Sequence, residues 1–267
     1  MITVIRQLFR ARPARALPAV PPGERAYAIG DIHGRLDLLE ALAAEIEADD
    51  RARGVADTTI VLLGDLVDRG PDSAGVIAFA RRWQAHRRVR ILLGNHEEMF
   101  LSAADQPDVL RQFLRFGGRE TILSYPVDPH EYNSADMDQV RVLIARHVPP
   151  QDFAFMRSFE DQIVIGDYLF VHAGIAPGVP FADQKRGDLR WIREPFLSHR
   201  LPHGAVVVHG HTITDDAVIR DNRIGIDTGA YASGRLTALG LDGTQRWLIE
   251  ARQADDGEIA CATTMLK

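Results

Sequence analysis

Three short segments, Gly30-Asp31-Ile32-His33-Gly34, Gly64-Asp65-Leu66-Val67-Asp68-Arg69-Gly70 and Gly94-Asn95-His96-Glu97, recur about every thirty residues, each directly behind an apolar, β-branched run. Those runs, Ala26–Ile29, Thr59–Leu63 and Val89–Leu93, read as buried strands. Between them lie Leu36–Ala48, with Leu38, Leu39, Leu42 and Ile46 at helical spacing, and Ser73–His86, with Val76, Ile77, Phe79, Ala80 and Trp83. Strand, helix, strand, helix, strand predicts right-handed crossovers and a parallel sheet. Polar residues that follow such strands gather at the sheet's carboxyl edge, where α/β folds hold their ligands.

Residues 98–160 change character. Helical stretches over Glu98–Ala104, Val109–Phe116 and Met137–His147 are interrupted by Gly117-Gly118 and by a polar loop around Pro126–Asn133. This segment is expected to be a helical cap insertion within the same domain. Strands resume at Asp161–Ile165, Tyr168–Val171 and Ala205–Val208, and the end reads as antiparallel strands over Ala217–Arg220, Arg223–Ile226, Leu236–Leu241 and Gln245–Ala251. The predicted class is α/β, with two packed mixed β-sheets flanked by helices. The expected divisions are a flexible, basic, Pro-rich arm over 1–24, a domain over 25–252 and a C-terminal tail over 253–267.

No apolar run approaches the roughly 20 residues needed to cross a bilayer. The single cysteine, Cys261, rules out an internal disulfide and suits a reducing cytosol. Any metal site must therefore use His, Asp, Glu and Asn. The net charge is −6, but residues 1–25 carry five arginines against Glu24, which leaves −10 on the remainder. So acidic a body argues against an extended nucleic-acid groove. The alternative reading of the arm is weak membrane contact through residues 1–16, with Ile2, Val4, Ile5, Leu8 and Phe9 as the apolar face.

Two isolated histidine motifs, Val171-His172-Ala173-Gly174 and His209-Gly210-His211-Thr212, complete a donor set for two metal ions. Asp31 and His33 lie two apart, so in extended chain they point the same way and can grip one ion. Asp65 could bridge two ions, with Asn95, His172 and His211 on the second. Nitrogen and oxygen donors without sulfur suit Mn²⁺, Fe or Zn²⁺. Arg69 has the planar fork for bidentate phosphate binding. His96, held by Asp68, can protonate a leaving oxygen, and a second phosphate-clamping arginine can come from Arg190-Trp191-Ile192-Arg193. His209 is expected to pack rather than ligate, and Trp83 and Trp247 to lie in the core.

Together these motifs resemble the calcineurin-like metallophosphoesterases, and within them the phosphoprotein phosphatase branch that includes the bacteriophage lambda serine/threonine phosphatase; the bacterial diadenosine tetraphosphatases are also similar. The likeness spans most of residues 25–240, including Ile226-Asp227-Thr228-Gly229-Ala230. It implies a four-layer α/β/β/α sandwich and two metal ions, most often Mn²⁺. Asp31, His33 and Asp65 would hold the first ion, and Asp65, Asn95, His172 and His211 the second. His96 with Asp68 would be the acid and Arg69 a clamp, with Arg193 preferred over Arg190 as the other. Ile213 stands where many phosphodiesterases of the superfamily carry a further histidine.

The expected function is hydrolysis of phosphomonoesters, foremost phosphoserine and phosphothreonine in proteins, by direct attack of metal-bound hydroxide. The alternative substrate is a dinucleoside polyphosphate such as diadenosine tetraphosphate, for which Phe113, Phe116, Tyr125 or Tyr132 could stack adenine; His33, where the symmetrical tetraphosphatases commonly have Gln, weighs against the symmetrical activity. A phosphate-binding module that has lost catalysis is the third reading.

Overall fold

The computed structural model describes residues 17–266. Strand β1 (Glu24–Ile29), helix α1 (Leu36–Ala52), β2 (Asp57–Leu62), α2 (Ser73–Gln84) and β3 (Val89–Ile91) form the expected parallel unit. The pleat sends Tyr27 and Ile29 of β1 toward the helices and the small Ala26 and Ala28 toward a second sheet, and all four are fully buried. Burial on both faces explains why this strand reads as an unbroken apolar run.

A helical segment follows: α3 (Asn95–Ala103), α4 (Pro107–Phe113), a wide turn over Leu114–Gly118, α5 (Arg119–Ser124), α6 (Pro129–Ser134), α7 (Met137–His147) and α8 (Pro150–Arg157). Its Phe100, Phe113, Val140, Leu143 and Ile144 join one cluster with Leu38, Leu42 and Val76. The second sheet is built from β4 (Gln162–Ile165), β5 (Tyr168–Val171), β6 (Val206–His209), β7 (Val218–Ile219) and β8 (Arg223–Gly225), with the short α9 (Arg186–Trp191) on its outer face. After α10 (Ala230–Ser233), strands β9 (Arg235–Asp242), β10 (Gln245–Gln253) and β11 (Ile259–Leu266) complete the first sheet.

The two sheets run β11-β10-β9-β1-β2-β3 and β4-β5-β6-β8-β7, and both are mixed. Val61, Leu63, Leu239 and Leu241 of one meet Ile163, Phe170, Val208 and Ile224 of the other in the core between them. Each sheet contains three parallel neighbours: β1, β2 and β3 in one, β5, β6 and β8 in the other. Asp31, Asp65, Asn95, His172, His211 and Asp227 all follow the carboxyl ends of those strands.

Three expectations need correction. Residues 253–267 are not a tail, because Ile259–Leu266 pairs antiparallel with β10 along the sheet edge, with Cys261 opposite Ala251. Asp256-Gly257 makes the connecting turn, and Gly257 has φ +90°. Residues 17–24 pack on the body rather than forming a loose arm: Val20 is buried between the sheets, and its N–H donates to Gly243 O at 3.0 Å. Residues 1–16, with the apolar face proposed for a membrane, lie outside the described residues. The polar loop near 126–133 contains α6, which Asp128 caps by accepting from the His130 and Glu131 N–H groups ahead of Pro129 at the first turn.

Candidate active site

Five non-glycine residues among those described adopt positive φ: His33, Asp65, Asp68, Arg69 and His211. All five are candidates picked out by the motifs. Left-handed backbone costs a non-glycine residue roughly 1–3 kcal/mol, so the loops are held in shapes they would not choose alone. His33 thus leaves extended chain just before its side chain projects. The two-residue alternation inferred for Asp31 and His33 is replaced by a tight turn.

Glu97 holds the central loop. It is fully buried, and its carboxylate accepts four backbone N–H bonds: Asp65 (2.9 Å) and Gly94 (3.0 Å) on Oε2, Leu66 (2.7 Å) and Val67 (3.1 Å) on Oε1. The turn after β2 is thereby tied to the start of α3. Gly94 is required at the seam, because a Cβ there would land on Asp65 Oδ1. Burial, with Asp65 close by, pushes the Glu97 carboxyl up to about 7.

Within this frame, two groups of donors share Asp65. His33, Asp65 and His96 bring ligand atoms within 4.8 Å of one another, as do Asp65, His172 and His211. Asp65 Oδ2 lies 3.7 Å from His33 Nε2 and 3.9 Å from His96 Nε2, and Oδ1 lies 3.4 Å from His172 Nε2. Asn95 Oδ1 sits between His172 Nε2 (2.9 Å) and His211 Nδ1 (2.8 Å). His33 and His172 each donate Nδ1–H to a backbone carbonyl, Val67 O at 2.7 Å and Leu63 O at 2.8 Å. That fixes the tautomer of His33, whose Nε2 lone pair faces inward, while His172 Nε2 faces the Asn95 oxygen. His211 Nε2 is buried with no partner. Asp31 belongs to neither group; its oxygens accept the His211 N–H at 3.2 and 3.0 Å.

The electrostatics fit cations. Burial raises Asp31 well above the usual carboxylate range, and Asp227 and Asp65 add to it. Asp227 is pushed up to about 6 by burial and by Asp65, although the Gly229 N–H it accepts opposes the rise. Burial drives His33 and His211 down to about 3. Burial also opposes charge on His172, but Asp65 and Asp31 outweigh it and raise that imidazole to about 10. Buried carboxylates crowded beside the neutral imidazoles of His33 and His211 gain from positive charge between them.

Three further groups face the same space. Arg69 donates from Nη1 to His33 Nε2 (2.9 Å) and from Nη2 to His96 Nε2 (3.0 Å). His96 Nδ1 meets Asp68 Oδ2 at 2.6 Å, and Thr121 of α5 donates to Asp68 Oδ1 at 2.6 Å. Desolvation lowers the His96 pKa, but Asp65 and Asp68 outweigh it and raise it. A cavity of about 100 Å³ is lined by Asp65, Arg69, Asn95, His96, Arg193 and His211, with Phe116 and Trp191 as walls. Arg190 is not in it, because it is held by Glu98 (2.6 Å) and Asp161 (2.5 Å). A larger cleft of about 500 Å³ behind α10 contains none of these groups. His209 packs on Phe196 and accepts from Arg223 at 3.1 Å, outside the site. Of the four aromatics considered for adenine, Phe113 and Tyr125 are core, Tyr132 packs partly against it, and Phe116 reaches the cavity.

Glu97, Glu98, Thr121 and Asp227 were not assigned roles from the motifs. Glu97 stands inside Gly94-Asn95-His96-Glu97, and that adjacency is its one sequence signal. Glu97→Gln keeps the volume but turns part of the acceptor into an amide that faces N–H donors. Each unpaired donor costs about 1–3 kcal/mol, and Tm should fall roughly 2–4 °C per kcal/mol. Affinity for Mn²⁺, read by calorimetric titration, should weaken about 10–100-fold. A variant equal to wild type in both would show that the loop holds without the clamp.

The family model for calcineurin-like phosphoesterases matches residues 25–236. A symmetrical bis(5′-nucleosyl)-tetraphosphatase of Nitrosococcus oceani is 28% identical over 81% of this chain and 92% of its own length. The serine/threonine-protein phosphatase 1 of Salmonella typhimurium is also 28% identical, over 79% of this chain and 89% of its own. A zinc-dependent endopolyphosphatase of Saccharomyces cerevisiae is 28% identical over 56% of this chain, which spans 47% of that protein. A solved structure of a candidate diadenosine tetraphosphatase aligns with TM-score 0.59 at 20% identity, covering 92% of this chain and 98% of that one. A cold-active protein tyrosine phosphatase aligns with TM-score 0.56 at 19% identity, over 94% and 86%. At such identities these two structures establish the fold, two mixed sheets flanked by helices.

Proposed function

The chain belongs to the calcineurin-like phosphoesterase family of hydrolases, and from that premise we propose that it is a dimetal phosphatase acting on phosphomonoesters, foremost phosphoserine and phosphothreonine in proteins. The observation that carries this reading is Asp65 shared by two donor groups that open on one cavity with Arg69, Arg193 and His96. Asp31, His33 and Asp65 would hold one ion, and Asp65, Asn95, His172 and His211 the other. When bound, the ions would activate a water and neutralise charge on the phosphoryl oxygens. Sulfur-free donors favour Mn²⁺, with Fe or Zn²⁺ as alternatives; the yeast relative is named as zinc-dependent.

The chain's own groups do the rest. Arg69 can exchange its two imidazole partners for phosphate oxygens, since the same N–H groups serve both. Arg193 enters the cavity from another wall, so two guanidinium groups can orient one tetrahedral anion. His96, aimed by Asp68 and Thr121, would give its proton to the leaving oxygen. No Ser or Cys lines the cavity, which favours one-step attack by water over a phosphoenzyme.

One observation favours a second substrate, a dinucleoside polyphosphate: Phe116 borders the cavity with its ring exposed. Neither reading needs a membrane, and no helix among the described residues is long and apolar enough to cross one. A reducing cytosol remains the proposed compartment, from the single Cys261.

The test compares kcat/KM on a phosphothreonine peptide and on diadenosine tetraphosphate, before and after chelation and reloading with Mn²⁺. We expect activity to vanish on chelation, return with Mn²⁺ and favour the peptide. Preference for the dinucleotide would move the function to nucleotide hydrolysis. Activity that survives complete metal removal would overturn the dimetal mechanism.

A further inference from the structure

Of the Phe, Trp and Tyr side chains among the described residues, three stand out to solvent: Phe116 at 45%, Trp191 at 40% and Tyr231 at 37%. All three stand around one site. Phe116 and Trp191 line the cavity that holds Arg69 and Arg193, and the Tyr231 ring lies 4.9 Å beneath the Arg69 guanidinium. Exposed aromatic surface is a cost to a folded chain, and its confinement to one rim calls for a ligand.

The rings are also held in place. Phe116 precedes Gly117, whose carbonyl accepts the Arg69 N–H at 3.0 Å. Gly117 has φ +106°, and a Cβ there would sit 2.7 Å from Arg69 Cγ, so glycine is required for this approach. The loop carrying Phe116 is therefore pinned to the backbone of the phosphate-facing arginine. On the other wall, Trp191 Nε1–H donates to Glu98 Oε2 at 2.6 Å, while the other Glu98 oxygen takes Arg190 at 2.6 Å. Glu98 lies in α3, two residues after His96. Each ring is thus positioned by the element that positions a phosphate-facing group.

We propose that Phe116 and Trp191 form a preset aromatic clamp that grips a flat ring carried within reach of the phosphoryl group. The proposal rests on the phosphate-binding part of the function proposed above and goes beyond its substrates: phosphoserine and phosphothreonine carry no ring, so the clamp extends the site to aryl or nucleoside phosphates. Trp191 lies 6.5 Å, centroid to centroid, from His211. A ring gripped there sits close to phosphorus, as in an aryl phosphate, while a nucleobase would reach it across its sugar. Stacked and edge-on aromatic contacts are both open to rings that line one cavity of about 100 Å³.

The experiment measures binding to the Mn²⁺-loaded protein by calorimetry, with phenylphosphonate, methylphosphonate and adenosine 5′-monophosphate as probes. None of these measurements needs turnover. We expect phenylphosphonate to bind more tightly than methylphosphonate, and Phe116→Ala to cut that preference about tenfold, in the range of one aromatic contact. Trp191→Ala should do the same, and Trp191→Phe, which keeps a ring without the Glu98 bond, should restore part of it. A matching loss for the adenosine probe would identify the ring as a nucleobase, and a loss confined to phenylphosphonate would identify an aryl group; both support the clamp. Equal weakening of phenyl and methyl probes, or no phenyl preference in the wild type, overturns it. If the preference holds but no phosphate ester is hydrolysed, the clamp stands and the catalytic reading falls. If methylphosphonate does not bind at all, both fall.

Discussion

Asp65→Asn should lower kcat by about three orders of magnitude or more, because one carboxylate serves both donor groups and two-metal stabilisation is worth several kcal/mol in the transition state. Its oxygens face opposite sides: Oδ1 toward His172, Oδ2 toward His33 and His96. Asparagine keeps one oxygen and presents an amide NH2 to the other side, so one group loses its anion and points N–H hydrogens where a cation would sit. Purified Asp65→Asn protein should therefore hold no more than one Mn²⁺ per chain by elemental analysis, with turnover of the phosphothreonine peptide near background. Two retained ions together with wild-type turnover would remove Asp65 from the centre of the mechanism. Oδ1 also accepts the His96 N–H at 3.0 Å, which an asparagine oxygen can still accept, so the fold should survive.

The sequence is most informative where a property is local. Strand ends are marked by glycine-acid pairs, and Asp31, Asp65, Asn95, His172 and His211 converge because parallel strands share a carboxyl edge, a rule of topology rather than of detail. What stayed hidden is set by tertiary bonds. No local signal makes Asp65, Asp68 and Arg69 left-handed; Glu97 and the Gly117 carbonyl hold part of that loop from outside it. Thr121 could not be linked to Asp68 across a gap of 53 residues without the packing of the helical segment. Strand β11 is hidden in the sequence for another reason. Its Ala260, Ala262, Thr263 and Thr264 lack an apolar alternation because an edge strand buries little, and Asp256-Gly257 was the one usable cue. The choice between Arg190 and Arg193 depends on partners: Glu98 and Asp161 take one, and the cavity receives the other.

The helical segment bears on catalysis through Thr121, and the second large effect follows from it. His96→Gln should reduce kcat on an alkyl phosphate about 10²–10⁴-fold, the range of a lost general acid. On p-nitrophenyl phosphate the loss should be small, because that leaving group departs as a stable anion and needs no proton. A large and equal loss on both would assign His96 to metal binding instead, a role that its nearness to His33 and Asp65 makes a real competitor. Asp68→Asn separates the two further. A general acid works only while protonated; desolvation opposes the imidazolium and the Asp68 carboxylate favours it, so the alkaline limb of kcat/KM reports the His96 proton. Removing the Asp68 charge lowers the His96 pKa and must move that limb to lower pH. Asparagine can still accept from Nδ1 through its oxygen, so the ring remains oriented and the shift reports charge rather than misplacement. A limb that stays fixed or moves upward would exclude His96 as the acid.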